Sequence, residues 1–353
     1  MLDAKRARLL EILRDCESLL VGYSGGVDSV FLARLALEVL GRERVLAVTG
    51  TSESLPVWME ATARTVAERC GIPWLELRTE ELADPRYAAN PSDRCYYCKS
   101  ELWQRLDELA RQRGLRTVAD GANADDVSDH RPGALAAAEH RVRSPLLEAG
   151  LGKTEIRAWS RELGLPTWDQ PAAPCLASRI PYGLAVTAER LRQIEAAELA
   201  LRALGLRDFR VRHHDAVARL EVHPSELSTV ARRRAAVAAA VRKAGYARAL
   251  LDVQGYRRGA LNEGLVVLQG SGVRGRGSGN GNFNGVAVGA EMPPTPDPRP
   301  LTPAASEIAV LPLPLADALA LPDAERARLA GEARARGFRY LALDLEAGAE
   351  RDG

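Results

Sequence analysis

The sequence predicts an α/β chain, with a parallel Rossmann-like sheet domain followed by a small α+β domain. Three observations predict it. Short apolar runs alternate with stretches of helical spacing through the first third of the chain. The first run passes directly into Ser24-Gly25-Gly26-Val27-Asp28-Ser29 and then into a helix pattern. Further on, two alternating runs, a helix pattern and another apolar run read as β-β-α-β.

The chain opens on an amphipathic helix pattern, and its first strand is expected at residues 19–23. Val30, Phe31, Leu32, Leu35 and Leu37 then mark a buried helix. A strand–turn–helix junction presents unpaired backbone N–H groups and the positive end of a helix dipole to an anion. Gly25 and Gly26 permit φ values and close approaches that a side chain would block. Ser24 and Ser29 add hydroxyl donors, and Asp28 could hold a magnesium ion against phosphate oxygens. The six residues are similar to the Ser-Gly-Gly-x-Asp-Ser signature of the PP-loop ATP pyrophosphatases, which cleave ATP between the α and β phosphates and adenylate a substrate.

A second strand is expected at residues 44–49, ending in Gly50-Thr51-Ser52, then a helix at 57–70 and a third strand at 73–77. A fourth at 116–119 runs into Asp120-Gly121-Ala122-Asn123. Parallel sheets bind ligands at the carboxyl ends of their strands. ATP is therefore expected across the turns at 24–29, 49–52 and 121–126, with Thr49, Ser52, Gly121, Asn123 and Asp125 among its contacts. Asn123, Asp125 and Asp126 would serve as turn formers or helix caps as well. Gly152-Lys153-Thr154 imitates the end of a different phosphate loop, but that loop's first glycine would fall at Leu147. It reads as a helix opening.

Residues 187–204 form a helix pattern with Thr187 as N-cap and Leu191, Ile194, Ala197 and Leu201 on one face. Strands at 209–212 and 218–222, a helix at 226–243 and a strand at 248–253 follow. The expected division is a nucleotide-binding domain at 1–183, a small substrate or oligomerisation domain at 184–269, a linker at 270–306 and an extension at 307–353. Residues 270–289 hold eight glycines and three asparagines, too little apolar surface to offset ordering. Residues 332–346 echo residues 241–253. A partial duplication and a chance likeness of two Ala/Arg-rich helices explain the echo equally well.

The chain has 353 residues, 46% hydrophobic and 27% charged, with a net charge near +1. That suits two domains with a sizeable core and gives no global argument for nucleic acid or anionic membrane. No run approaches the roughly 18 apolar residues of a membrane span, and the opening lacks the apolar core of a signal peptide. A cytoplasmic protein with reduced thiols is expected, because five cysteines suit no disulfide framework.

Cys16 and Cys70 lie in amphipathic helix patterns and read as core. Cys95-Tyr-Tyr-Cys98-Lys99 could be a redox pair, half a metal site or a coincidence, and no further zinc ligands follow at short spacing. Cys175 stands among prolines in a segment that ends Ser178-Arg179-Ile180-Pro181-Tyr182-Gly183, which suggests a rigid loop. Arg179 nearby would favour its thiolate.

The Ser24 turn, Asn90-Pro-Ser-Asp-Arg-Cys-Tyr-Tyr-Cys-Lys99, Pro174-Cys-Leu-Ala-Ser-Arg-Ile-Pro-Tyr-Gly183, Asp120-Gly-Ala-Asn-Ala-Asp-Asp126 and Arg157-Ala-Trp-Ser-Arg-Glu-Leu-Gly-Leu-Pro166 together resemble the LarE family. These are ATP-dependent sulfur transferases of nickel-pincer nucleotide biosynthesis, and the likeness covers about residues 1–268. It implies adenylation of pyridinium-3,5-biscarboxylic acid mononucleotide and transfer of sulfur from Cys175, with Lys99 steadying developing negative charge. It implies a substrate-phosphate pocket built from Arg210, Arg212 and Arg257 and completed by Glu198 and Glu221, with Arg179 close by. Some family members have three cysteines thought to hold a [4Fe–4S] cluster that carries an extra sulfide. Cys95, Cys98 and Cys175 could be those ligands, and the cluster form is favoured because they sit in the two family-specific segments. A homo-oligomer is also implied.

Three other functions share the same first motif. A tRNA thiolase would show a basic surface or RNA-binding module, against the near-neutral charge. An amidotransferase-type synthetase, for NAD or GMP, would have no need of Cys175. A non-catalytic ATP-binding regulator would release no pyrophosphate.

Overall fold

The computed structural model describes residues 2–128, 132–171, 173–257, 308–311 and 315–346. The first half of the chain builds α1 (Leu2–Asp15), β1 (Leu19–Gly22), α2 (Val27–Leu40), β2 (Val45–Thr51), α3 (Val57–Arg69) and β3 (Trp74–Arg78). After them come α4 (Pro85–Ala88), α5 (Arg94–Arg113), β4 (Thr117–Ala119), α6 (Pro132–Glu139), α7 (Pro145–Glu148) and α8 (Lys153–Glu162). Alternation along β1 divides two cores. Leu19 and Val21 pack with α1, α2, α3 and α8, whereas Leu20 points to the other face, against Trp103, Leu106 and Val118. Both faces are covered, which is why these strands read as continuous apolar runs.

The four strands are parallel in the order β3-β2-β1-β4, with Leu19 opposite both Val45 and Thr117. The chain leaves β1 toward β2 on one side and returns to β4 on the other. The crevice between β1 and β4 is thus a topological switch point, where α/β sheets bind ligands. The turns after β1 and β4 meet there.

The second half builds α9 (Ala188–Ala203), β5 (Phe209–His214), β6 (Val217–Val222), α10 (Leu227–Arg232), α11 (Arg234–Lys243) and β7 (Arg248–Asp252). Thr187 caps α9, its hydroxyl accepting the Arg190 amide at 3.2 Å. The single helix expected at 226–243 is two helices. It breaks at Arg233, where the backbone leaves helical geometry and the guanidinium donates to Leu204 O at the end of α9, 2.8 Å away. A tertiary bond at the C-terminus of another helix interrupts a locally good helix pattern.

The tail adds β8 (Ile308–Val310), α12 (Leu315–Ala320), α13 (Asp323–Ala335) and β9 (Tyr340–Asp344). It joins the second sheet, whose order is β5-β6-β7-β9-β8. β5 and β6 pair antiparallel, β6 and β7 parallel, β7 and β9 antiparallel, β8 and β9 parallel. A separate apolar cluster of Leu176, Ile180, Leu184, Leu191 and Ile194 joins the two halves. The linker expected at 270–306 lies outside the described residues. Among the described residues, no helix is long and apolar enough to cross a membrane.

Candidate active site

Gly25 adopts φ +73°, and a Cβ there would lie 2.7 Å from the Ala63 Cα, so the turn after β1 rests directly on α3. Gly26 begins α2 without any side-chain cap, and the first intrahelical bond runs from Val30 N to Gly26 O. The first turn therefore presents amides of the kind that can meet an anion. Ser24 and Ser29 sit with their hydroxyls 3.2 Å apart, and Ser29 Oγ donates to Gly26 O at 3.2 Å. A cleft of about 150 Å³ opens here, bounded by Ser24, Asp28, Trp58, Lys153, Pro171 and Ala173.

Asp28 Oδ2 accepts a bond from Lys153 Nζ, and its Oδ1 is buried without a hydrogen-bond partner. A buried carboxylate oxygen at a phosphate cradle suits a magnesium ion, which takes one or two carboxylates together with phosphate oxygens. Lys153 does open α8, yet its side chain also turns into the cleft. Sequence reading missed that second task, because it depends on α8 lying against α2.

The other two expected turns, 49–52 and 121–126, contribute no residue to the lining of this cleft. Gly121 comes so close to the β1 turn that a Cβ would meet Ser29 N at 3.1 Å. Asn123 Oδ1 accepts the Asp125 amide at 3.0 Å, and Asp125 caps α8 by accepting the Lys153 amide at 2.7 Å. Both side chains thus do the turn and capping work that was the alternative reading. Thr49 is buried between strands, donating to Tyr23 O and accepting Trp74 Nε1, each at 2.8 Å. Ser52 donates to Glu81 Oε1 at 2.5 Å.

The two cysteine-bearing segments are tied to each other. Asn90, at φ +56°, donates through its side chain to Pro181 O at 2.7 Å and Leu184 O at 2.8 Å, while its carbonyl accepts Gly183 N at 2.9 Å. Arg94 bonds Asn90 and lies over the Tyr182 ring, 5.0 Å from its centroid. These ties set Cys95 and Cys98 on α5 beside the Cys175 loop. Lost solvation of the sulfurs pushes both α5 thiols up, though residue Cys95 is itself exposed and Cys98 half-buried, and the neighbouring Cys175 adds to it. The loop's Leu176 N donates to Ser54 O at 2.8 Å, fixing it against the turn after β2. Lys99 Nζ sits over the Trp103 ring at 4.9 Å. The thiols have the right donor chemistry for iron, but no three His, Cys, Asp or Glu side chains converge as a metal-binding set among the described residues.

Arg179 takes a different task from the one its sequence position suggested. It is a buried partner of Glu198, and its Nη1 donates to the carbonyls of Pro174 and Cys175 at 2.7 and 3.0 Å. Its charge holds the backbone around the thiol. Arg212 bridges the halves: it bonds Glu221 at 2.9 Å and donates to Ser178 O at 2.6 Å. Glu221 also pairs with Arg219 at 2.9 Å, and Arg219 with Asp252, which Arg257 approaches to 3.7 Å. Arg210 stacks on Tyr256, 4.9 Å from the ring centre. Arg219 and Asp252 were not anticipated; the signal was the charged pair Arg219 and Glu221 alternating with apolar residues in β6.

A family model described as NAD synthase matches residues 11–90, which hold the β1 turn. Over 268 residues the chain is 35% identical to the pyridinium-3,5-bisthiocarboxylic acid mononucleotide synthase of Lactiplantibacillus plantarum, covering 76% of this chain and 97% of that protein. The chain belongs to the LarE family of ATP-dependent sulfur transferases. It is also 41% identical to an uncharacterised protein of Synechocystis over 74% of this chain and 98% of that one. An uncharacterised Methanocaldococcus jannaschii protein is 24% identical over 68% of this chain and 91% of its own. LarE membership places the β1 turn in the PP-loop superfamily of ATP-using enzymes, and the Ser24–Asp28–Lys153 cleft is where its geometry suits a nucleotide.

Proposed function

We propose that this chain adenylates a carboxylate of pyridinium-3,5-biscarboxylic acid mononucleotide and transfers sulfur to it, a step of nickel-pincer nucleotide assembly. One observation carries the reading. Pro171 and Ala173, a few residues before Cys175 in the chain, line the same cleft as Asp28 and Lys153. In this reading residues 1–183 bind ATP and present the thiol, and residues 184–269 hold the mononucleotide. The enzyme works in the cytoplasm, as a homo-oligomer.

The amides at the start of α2, Ser24, Ser29 and Lys153 hold the phosphates, and Asp28 would hold magnesium, which supplies charge neutralisation there. Gly121 leaves room for the close approach. The carboxylate attacks the α-phosphorus and pyrophosphate leaves, giving an acyl-adenylate. Cys175 attacks the activated carbonyl as the thiolate and AMP departs, leaving a thioester. Removal of the Cys175 Cα proton and cleavage of its Cβ–Sγ bond give the thiocarboxylate and dehydroalanine. Arg212, which donates to Ser178 O in the thiol loop, holds the substrate phosphate together with Arg210 and Arg257 in this reading, and Lys99 offsets negative charge.

A second form of the sulfur step keeps Cys175 intact. Cys98 and Cys175 pack against one apolar cluster and Cys95 lies three residues before Cys98 on α5; as ligands of a [4Fe–4S] cluster the three would present a replaceable sulfide. Cys175→Ala should keep substrate-dependent pyrophosphate release and lose the thiocarboxylate. Retained product with ammonia as donor would instead mark a synthetase. Intact mass after turnover separates the two sulfur sources: a loss of one H₂S marks the thiol, whereas an unchanged mass with iron and sulfide in anaerobically purified protein marks the cluster.

A further inference from the structure

The tail repeats, about a two-fold axis within the chain, the unit it packs against. β6, α10, α11 and β7 form a strand–helix–strand unit with parallel strands, and β8, α12, α13 and β9 form another. They meet along β7 and β9, antiparallel, with Leu251 directly opposite Leu343. On either side of that pair the contacts are reciprocal. Leu250 faces Asp344 as Asp252 faces Ala342. Val253 N donates to Leu341 O at 3.0 Å, and Leu345 N to Ala249 O at 3.2 Å. Arg242 pairs with Glu346 at 2.7 Å, and Arg334 donates to the Gln254 side chain at 3.3 Å.

The local devices repeat too. Each unit reaches its second strand through a positive-φ glycine, Gly245 at 95° and Gly337 at 89°. Each strand ends in an aspartate whose Oδ1 accepts the amide two residues on, at 2.8 Å for Asp252 and 3.0 Å for Asp344. The buried charges do not repeat. Val217 faces Arg248 and Ile308 faces Tyr340, a register that puts Val310 where β6 has Arg219. The repeat keeps what is needed to pair and lacks what is proposed to bind.

We propose that the β7 edge is a homotypic pairing surface, and that this chain fills it in cis with a repeat of its own β6–β7 unit. An open strand edge must be paired or covered, and a self-complementary edge with a dyad through Leu251 is met by β7 of a second copy. The two most similar relatives named above are matched over 97% and 98% of their length by about three-quarters of this chain, so neither has room for the repeat. In the homotypic pair Arg242 meets Gln254 of the other copy twice. Arg248, which bonds Asp344 at 2.6 Å here, meets the second copy's Asp252.

Opening the edge in the full chain tests this. Leu343→Pro removes β9 from the ladder, and Asp344→Arg with Glu346→Arg sets like charge against Arg248 and Arg242 without touching the core. By sedimentation velocity, either variant should form an assembly of twice the mass that the unsubstituted protein shows at the same concentration. Position 254 then tunes the association. Adding Gln254→Glu creates two ion pairs per dimer and should tighten it about three- to tenfold, while Gln254→Arg should weaken it by a similar factor. A mass unchanged in both opened variants overturns the proposal. So does an association indifferent to the charge at 254, as exposed apolar surface would give.

Discussion

Arg179 and Glu198 meet as a fully buried pair, Nε to Oε1 at 2.8 Å and Nη2 to Oε2 at 3.1 Å, and the same guanidinium holds the carbonyls on either side of the Pro174–Cys175 bond. The charge that fixes the thiol loop is itself fixed by α9. Glu198→Ala strands a buried cation, which should cost about 3–5 kcal/mol. Glu198→Gln keeps an acceptor and should recover part of it. Urea unfolding of the two variants checks this, and a Glu198→Ala protein within 1 kcal/mol of the parent would show that the pair is not what holds the loop.

Lys153 and Asp28 neutralise each other in the cleft while no phosphate is present. With magnesium and ATP, the carboxylate would turn to the metal and the ammonium to phosphate. Lys153→Met should therefore weaken Mg-ATP binding by about ten- to a hundredfold, the worth of a charge-assisted hydrogen bond. Asp28→Asn should make ATP binding less responsive to magnesium. Calorimetric titration with and without magnesium reads both. Unchanged affinity in Lys153→Met would remove that residue from the nucleotide site.

The strand–turn–helix junction from β1 to α2 was legible because it is local. A buried run, two glycines and a helix onset lie within a few residues, and the backbone there has few alternatives. Thr187 was legible as a cap for the same reason. What the sequence concealed is tertiary. Lys153 reaches Asp28 only because α8 packs on α2, and Arg233 breaks its helix only because Leu204 O lies within reach. Along β6, Arg219 and Glu221 alternate with apolar residues as if they faced water. All six positions of β6 are buried, and the charges answer one another inside. Asn90 gave no signal either: its φ of +56° and three carbonyl partners appear only when residues 180–184 are folded onto it.

His213 makes stability depend on pH. Its ring lies buried against Tyr246, Nδ1 to Oη 2.9 Å, and burial, with Arg190 nearby, pushes its pKa down to about 4 from 6.5. The unfolded chain binds the proton more tightly than the folded one. Its contribution to stability is therefore complete above about pH 6.5 and lost as pH falls toward 4, some 2–4 kcal/mol in all. His214 shifts the same way, again mainly by burial. His213→Gln cannot titrate, and its urea midpoint should fall less steeply between pH 6.5 and 4 than the parent's. Parallel curves for the two proteins would assign the acid loss to other groups.

Tyr340 carries the tail's contact with the buried charges. Its ring centre lies 3.7 Å from the Arg219 guanidinium, and His214 meets it edge-on at 5.3 Å. Its hydroxyl is buried without a hydrogen-bond partner. Tyr340→Phe should then be neutral or slightly stabilising, because it removes an unsatisfied polar atom and keeps the ring. Tyr340→Ala should cost about 3–5 kcal/mol, part of it through Arg219, and a double-mutant cycle with Arg219→Met should show coupling of about 1–2 kcal/mol. The effect should travel further, because Arg219 holds Glu221, Glu221 holds Arg212, and Arg212 holds Ser178 O beside the thiol. Tyr340→Ala should raise KM for the mononucleotide while leaving ATP affinity alone. A rise in both would mean global loosening, and no rise in either would confine the tail to its own sheet.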